Sequence, residues 1–174
     1  FGPTVGVNFA NLSGFNSLES KAGLSTGLFL NYSTQSHFGI GAQVLYSELG
    51  AKFKNSDEEI NLDYVQIPVL ATYYFGSKQT TGLWRPKVFA GPYVGFLVNA
   101  KDTRFKNDVK DFFKTTDFGA NVGIGVKIPV TDKLKIFVEY DEQVGLTEIY
   151  KTNKFSKVTN SRGALNVGIN VILK

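Results

Sequence analysis

Cysteine and methionine are both absent from this chain, and histidine and tryptophan occur once each. The lack of cysteine excludes disulfides, thiol nucleophiles and thiolate metal ligands. With no methionine, a processed or trimmed form is expected, from which a signal peptide could have been removed. Long apolar runs are missing too. Nothing approaches the roughly 20 residues that a membrane helix requires, so if the chain crosses a bilayer it must do so as a closed β-barrel. With 174 residues and a net charge of only +4, one domain spanning 1–174 is expected.

What is present is glycine (18 residues), aromatics (14%) and strict alternation. From Asp117 to Val130 every second residue is apolar: Phe118, Ala120, Val122, Ile124, Val126, Ile128 and Val130. The interleaved set, Asp117, Gly119, Asn121, Gly123, Gly125 and Lys127, is small or polar. A period of two over this length is a strand signal. An aliphatic face opposite a glycine-rich polar face suits a strand with lipid outside and a narrow polar lumen inside. The same pattern recurs over 3–11, 22–32, 37–49, 62–75, 88–100, 134–143 and 163–173, which makes eight strands and no convincing helix. Pro68 and Pro92 fall inside strand-like runs, and bulges or local bends are expected there.

Alternation alone does not say which face is inside, and a soluble up-and-down barrel with an apolar lumen is the competing reading. Three features favour the membrane barrel. The polar face is small rather than charged. The first, third, fifth and seventh connections are longer than those between them, as expected for outer loops alternating with short periplasmic turns. Aromatics cluster at both strand ends, with Tyr32, Phe38, Tyr73 and Phe75 at one end and Phe9, Tyr46, Phe96, Phe118 and Tyr140 at the other, where interfacial girdles belong. The expected architecture is an all-β, eight-stranded antiparallel up-and-down transmembrane barrel in the outer membrane.

The runs LDYVQIPVL (62–70), FAGPYVGFLVNA (89–100), DFGANVGIGVKI (117–128), VEYDEQVGL (138–146) and LNVGINVIL (165–173), taken in order and spacing, resemble the PorT-type outer-membrane β-barrel family of the Bacteroidota. Tyr64, Ile67 and Pro68 and the Gly91-Pro92 pair are the most distinctive elements. The resemblance implies an outer-membrane barrel, some relatives of which are linked to protein secretion through the type IX system. The chain departs from many outer-membrane barrels in ending on Leu173-Lys174 rather than on an aromatic residue.

Candidate chemistry is sparse. His37 opens the third strand beside a short turn. Triad-type hydrolases need a nucleophile, a base and an orienting group; Ser36 and Ser47 are near His37 in sequence, but adjacent strand positions do not make a charge-oriented pair, so a turn or rim histidine is the expectation and no catalytic, cofactor or metal site is assigned. Lys127, Lys135, Glu139 and Asp141 point inward on strands six and seven. Charges in a low-dielectric interior should be paired, so these four are expected to form a salt-bridged lumen plug, with an ion path as the sharper alternative. The outer connections carry basic residues: Lys101, Arg104, Lys106, Lys110 and Lys114 against three acids, then Lys151, Lys154, Lys157 and Arg162 against one. Such segments are solvated loops, or they contact phosphates of lipopolysaccharide or an acidic partner. Expected partners are outer-membrane lipids, lipopolysaccharide and other outer-membrane or periplasmic proteins; no nucleic-acid motif is present. The sequence therefore points to a non-enzymatic scaffold or accessory subunit. A narrow solute channel is the second reading and a barrel-type lipid-modifying enzyme the third.

Overall fold

The computed structural model describes residues 1–13, 18–33, 37–54, 58–76, 84–103, 107–149, 151 and 158–172. Eight strands form the wall: β1 (Gly2–Ser13), β2 (Leu18–Ser33), β3 (Phe38–Phe53), β4 (Glu59–Tyr74), β5 (Arg85–Asp102), β6 (Thr116–Pro129), β7 (Leu134–Gly145) and β8 (Thr159–Val171). Each is antiparallel to its chain neighbours, and β1 pairs with β8 to close the barrel. A two-residue strand, Asn107–Asp108, lies against the end of β5, and a 3-10 turn follows at Lys110–Phe112.

The alternation of the sequence becomes the inside and outside of this wall. Val5, Val7, Phe9, Leu28, Leu30, Val122, Ile124, Leu165 and Val167 are all exposed on the outer surface, while Thr4, Asn8, Ser25, Asn121 and Asn170 are buried within. Glycine on the inner face makes room for rings reaching across from neighbouring strands. A Cβ on Gly123 would stand 2.3 Å from the Phe89 ring, and one on Gly168 would stand 2.2 Å from the Phe137 ring.

The strands are longer than expected. β3 and β4 have 16 residues each and β5 has 18, whereas about 9–11 suffice to cross a bilayer. The excess lies at the long-loop end. It shortens the first and third connections, so that β1 and β2 are separated only by 14–17 and β3 and β4 only by 54–58. In this overshoot the polarity reverses. Leu12, Leu49, Ala51, Ile60, Leu62, Leu97 and Ala100 point inward as one apolar cluster, while Glu48, Lys52, Glu59, Asn61, Asp63 and Lys101 are wholly or partly exposed outside. That is the arrangement of a soluble barrel, and it is why this part of the sequence reads as polar loop.

Two register shifts mark the upper wall, between Ser20 and Ser25 on β2 and between Asp63 and Tyr64 on β4. The second leaves Val98 as the extra residue of β5. It turns Asn99 off the lumen face that unbroken alternation along 88–100 would give it, and its Nδ2 donates to the Asp63 carboxylate at 2.8 Å. Neither shift is at a proline. At Pro68 the ladder with β3 skips from Ala42–Val69 to Leu45–Gln66, and at Pro92 the ladder with β4 skips from Pro68–Tyr93 to Ala71–Ala90, both with register kept. The missing N–H groups open the wall locally instead of bulging it.

Candidate functional site

The barrel interior is the only place where the described residues concentrate polar chemistry, and it is divided into three zones. The zone at the long-loop end is apolar. Phe113, Ile149 and Val158, from the fifth and seventh connections, fold down onto the Leu12–Leu62 cluster. Backbone bonds tie these connections together: Lys114 N donates to Ile149 O at 2.6 Å, Lys151 N to Phe112 O at 3.1 Å and Ile149 N to Val158 O at 3.0 Å. The described parts of these two connections thus lie against the barrel mouth.

Below this plug lies a buried polar zone with two hubs. Asp117, the first inward residue of β6, accepts hydrogen bonds from Tyr93 Oη (3.1 Å), Asn160 Nδ2 (3.0 Å) and Thr147 Oγ1 (2.8 Å). Asp141 accepts from Asn166 Nδ2 (2.6 Å), Asn121 Nδ2 (3.2 Å) and Arg162 Nη2 (3.3 Å). Arg162 Nε also donates to Gln143 Oε1 at 2.9 Å, and Gln66, from the far wall, donates to the same oxygen at 2.8 Å. The barrel is therefore bridged straight across its bore. Asn8, Ser47 and Arg162 Nη1 contribute buried polar atoms with no protein partner, which is the setting for ordered internal water.

The third zone, at the short-turn end, is aromatic and cationic. Lys87 and Glu139 form a buried ion pair. They flank Gly125, and a Cβ there would come within 2.7 Å of Glu139 Cγ. The Lys87 ammonium also lies 5.5 and 5.1 Å from the Phe89 and Phe137 ring centroids, and Phe29 meets Phe137 edge-on at 4.9 Å. Lys127 Nζ donates to Tyr74 Oη at 3.2 Å. A cavity of about 20 Å³ between these groups has room for a water and for no larger solute.

The four expected lumen charges all point inward but do not pair with one another. Glu139 takes Lys87, Asp141 takes Arg162, and Lys127 finds a tyrosine. Among the described residues no carboxylate reaches Lys135. Arg162 corrects the loop assignment made from sequence: it is 2% exposed on β8, inside the barrel. The inward phase of β8 continues back through Ala164, Arg162, Asn160 and Val158, but the outward positions there are polar because they stand in the overshoot. Lys87 and Arg85 were missed for a similar reason, since β5 starts at Arg85 rather than at Val88. Of the remaining outer basic residues, Lys101 is exposed at the end of β5 and Lys151 is exposed on the seventh connection. Lys110 Nζ donates to Val98 O at 3.0 Å, and Lys114 stands 4.0 Å from Glu148. Arg104, Lys106, Lys154 and Lys157 lie outside the described residues. His37 is exposed at the short-turn end, bonded to the Gly76 carbonyl at 3.0 Å and stacked on Tyr73 at 5.7 Å. Ser47 is buried in the bore and Ser36 lies outside the described residues.

A family model described as "Outer membrane protein beta-barrel domain" matches residues 1–151. Among solved structures, Neisserial surface protein A (NspA) is similar at 20% identity and TM-score 0.63, over 99% of this chain and 96% of that one. The outer membrane enzyme PagL is similar at 11% identity and TM-score 0.57, over 97% and 99%. Ail, the attachment invasion locus protein of Yersinia pestis, is similar at 12% identity and TM-score 0.52, over 97% and 95%. At such identities these likenesses show the fold alone. No curated protein matches the sequence.

Proposed function

The chain belongs to the outer membrane protein beta-barrel domain family, is a protein of the outer membrane, and from that premise we propose that it is a non-enzymatic scaffold or accessory subunit of an outer-membrane complex. The observation that carries this reading is the filled bore. An apolar plug, a cross-barrel hydrogen-bond bridge and an aromatic ion-pair layer follow one another along its length, and the cavity of about 20 Å³ admits only water. This speaks against a solute channel. His37 is engaged with a turn carbonyl and a tyrosine ring, which speaks against a histidine-based lipid hydrolase. What the barrel offers partners is its ends and its outer surface. The resemblance of Tyr64, Ile67, Pro68 and Gly91-Pro92 to the PorT-type family extends the proposal to a secretion-linked complex.

The test is co-purification of the tagged chain from native outer membranes after mild crosslinking. Reproducible recovery of stoichiometric protein partners supports the reading. Recovery of the barrel alone, together with ohmic conductance in planar bilayers or lipid hydrolysis lost on His37→Ala, replaces it with the channel or the enzyme.

A further inference from the structure

Seven buried side-chain atoms in the middle of the bore have no hydrogen-bond partner among the described residues: both amide atoms of Asn8, Ser47 Oγ, Gln66 Oε1, Asn121 Oδ1, Gln143 Nε2 and Arg162 Nη1. None of these six residues is more than 4% exposed. They come from β1, β3, β4, β6, β7 and β8, so they ring the bore rather than lie on one wall. Asn121, Gln143 and Arg162 stand in one register row, and Gln66 reaches that row from the far side. Asn8 pairs in register with Gly23 and Ala164, neither of which has a polar side chain to offer it. Turning an amide over exchanges its oxygen and nitrogen, but this does not help Asn8, both ends of which are unmet. Native interiors leave few such groups unsatisfied, and inside a membrane span the surrounding lipid supplies no partner.

We propose that these six residues form a binding site for a sealed cluster of water molecules that completes the bridge across the bore. A buried water makes about three hydrogen bonds, so about two or three waters satisfy the seven atoms. The chemistry selects water over other ligands. Asn8 demands a donor and an acceptor together, which an apolar ligand would not provide. Arg162 and Asp141 already neutralise each other at 3.3 Å, so an ion of either sign would enter this layer without a counter-charge. The cluster is closed above by Leu12, Leu49 and Leu62, and below by the Lys87–Glu139 pair and the Phe29–Phe137 contact. Gln66 and Gln143 span the bore directly; the waters carry that span on to Asn8 and Ser47, and so join β1 and β3 to it. The site stands whether or not the barrel serves as a scaffold.

Oxygen-17 magnetic relaxation dispersion of water, on the refolded full chain in detergent, counts buried waters that outlast molecular tumbling and is blind to proton exchange. At least two such waters are expected in the wild type. Asn8→Leu/Ser47→Ala, which removes two of the groups that hold the cluster, should lower the count by one or more, whereas Lys151→Gln on the exposed seventh connection should leave it unchanged. A crystal of the wild-type chain gives a readout that needs no variant to fold: solvent density is expected within hydrogen-bond distance of the Asn8 amide. A wild-type count below two, a count unchanged by Asn8→Leu/Ser47→Ala, or a crystal in which the Asn8 amide meets protein atoms alone overturns the proposal.

Discussion

Replacing Arg162 tests the buried network most directly, because the sequence alone places this residue in a solvated loop and the structure places it inside the bore. It is 2% exposed, and its partner Asp141 is 3% exposed. Removing one member of a buried ion pair costs about 3–5 kcal/mol, since the other charge is left without its counter-ion. After Arg162→Met, Asp141 keeps the Asn166 and Asn121 amides, so the loss should fall near 3 kcal/mol. After Asp141→Leu, Arg162 keeps only Gln143, and most of its donors go unmet, so the loss should approach 5 kcal/mol. The double substitution removes both charges together. It should cost about 2–3 kcal/mol, mainly from the amides left short of partners, and so far less than the sum of the singles. Urea unfolding in lipid vesicles, followed by the fluorescence of Trp84 and by mobility on unheated gels, measures all three. Lys151→Met, on the exposed seventh connection, should stay within about 0.5 kcal/mol of wild type. If Arg162→Met also falls within that band, or if the two single losses simply add, the buried-pair argument is wrong.

The lipid-facing side is tested by Ile124→Arg, at a site 60% exposed on the outer wall; a loss of about 2–4 kcal/mol is expected in vesicle refolding if it lies at mid-bilayer. In the overshoot the sense is opposite. Leu62→Ala, at 0% exposure inside the apolar plug, should cost about 2–5 kcal/mol in the same assay, whereas Lys52→Ala outside it should cost under about 0.5 kcal/mol. Gly168→Ala drives a Cβ to 2.2 Å from the Phe137 ring and should destabilise by about 1–3 kcal/mol in urea titration. Hydrogen exchange should find the amides beside the skipped pairs, at Val44 and Leu70, exchanging faster than those of the unbroken β6–β7 ladder, because a pair without its ladder bond opens at lower cost.

How much could be read in advance depended on the height of a residue in the wall. Within the membrane belt the rule is simple: lipid demands aliphatic residues outside, and a bore too narrow for a continuous column of water demands small or paired residues inside. Val5, Leu28, Ile124 and Val167 therefore announce their faces from the sequence. Above the belt the solvent changes and the same period of two carries the opposite polarity. Ala51 and Ile60 then look like stray apolar residues in a polar loop, and Arg162 looks like a loop cation. The bulge at Val98 could not be read either, because an extra residue leaves composition unchanged and shifts only the phase, so that Asn99 stands on the opposite face from the one unbroken alternation along 88–100 would give it. Pairing partners were out of reach for a different reason. Glu139 joins Lys87 across Gly125, and Gln66 joins Gln143 from the far wall; which inward side chains meet is set by the shear of the closed sheet, to which single-strand patterns are blind.

The reversal of polarity along one continuous wall bears on what the barrel can do. A bore bridged by Gln66 and Gln143 and sealed by Leu12, Leu49, Leu62 and Phe113 speaks against solute exchange between its ends, so on the proposed scaffold reading the surface carries the activity. The overshoot supplies one of unusual kind for a membrane protein. Glu48, Lys52, Glu59, Asp63 and Lys101 stand outside a packed apolar cluster, on strands already hydrogen-bonded to their neighbours. A partner docking there would meet a rigid sheet held clear of lipid rather than a loop that must be ordered on binding, and it would avoid the entropic cost that flexible loops impose. The charges on that sheet are individually weak in high dielectric, but a fixed array of them sets orientation and partner choice more than affinity. A scaffold needs that combination: an inert, filled interior that keeps its shape in the bilayer, and a preorganised surface beyond it.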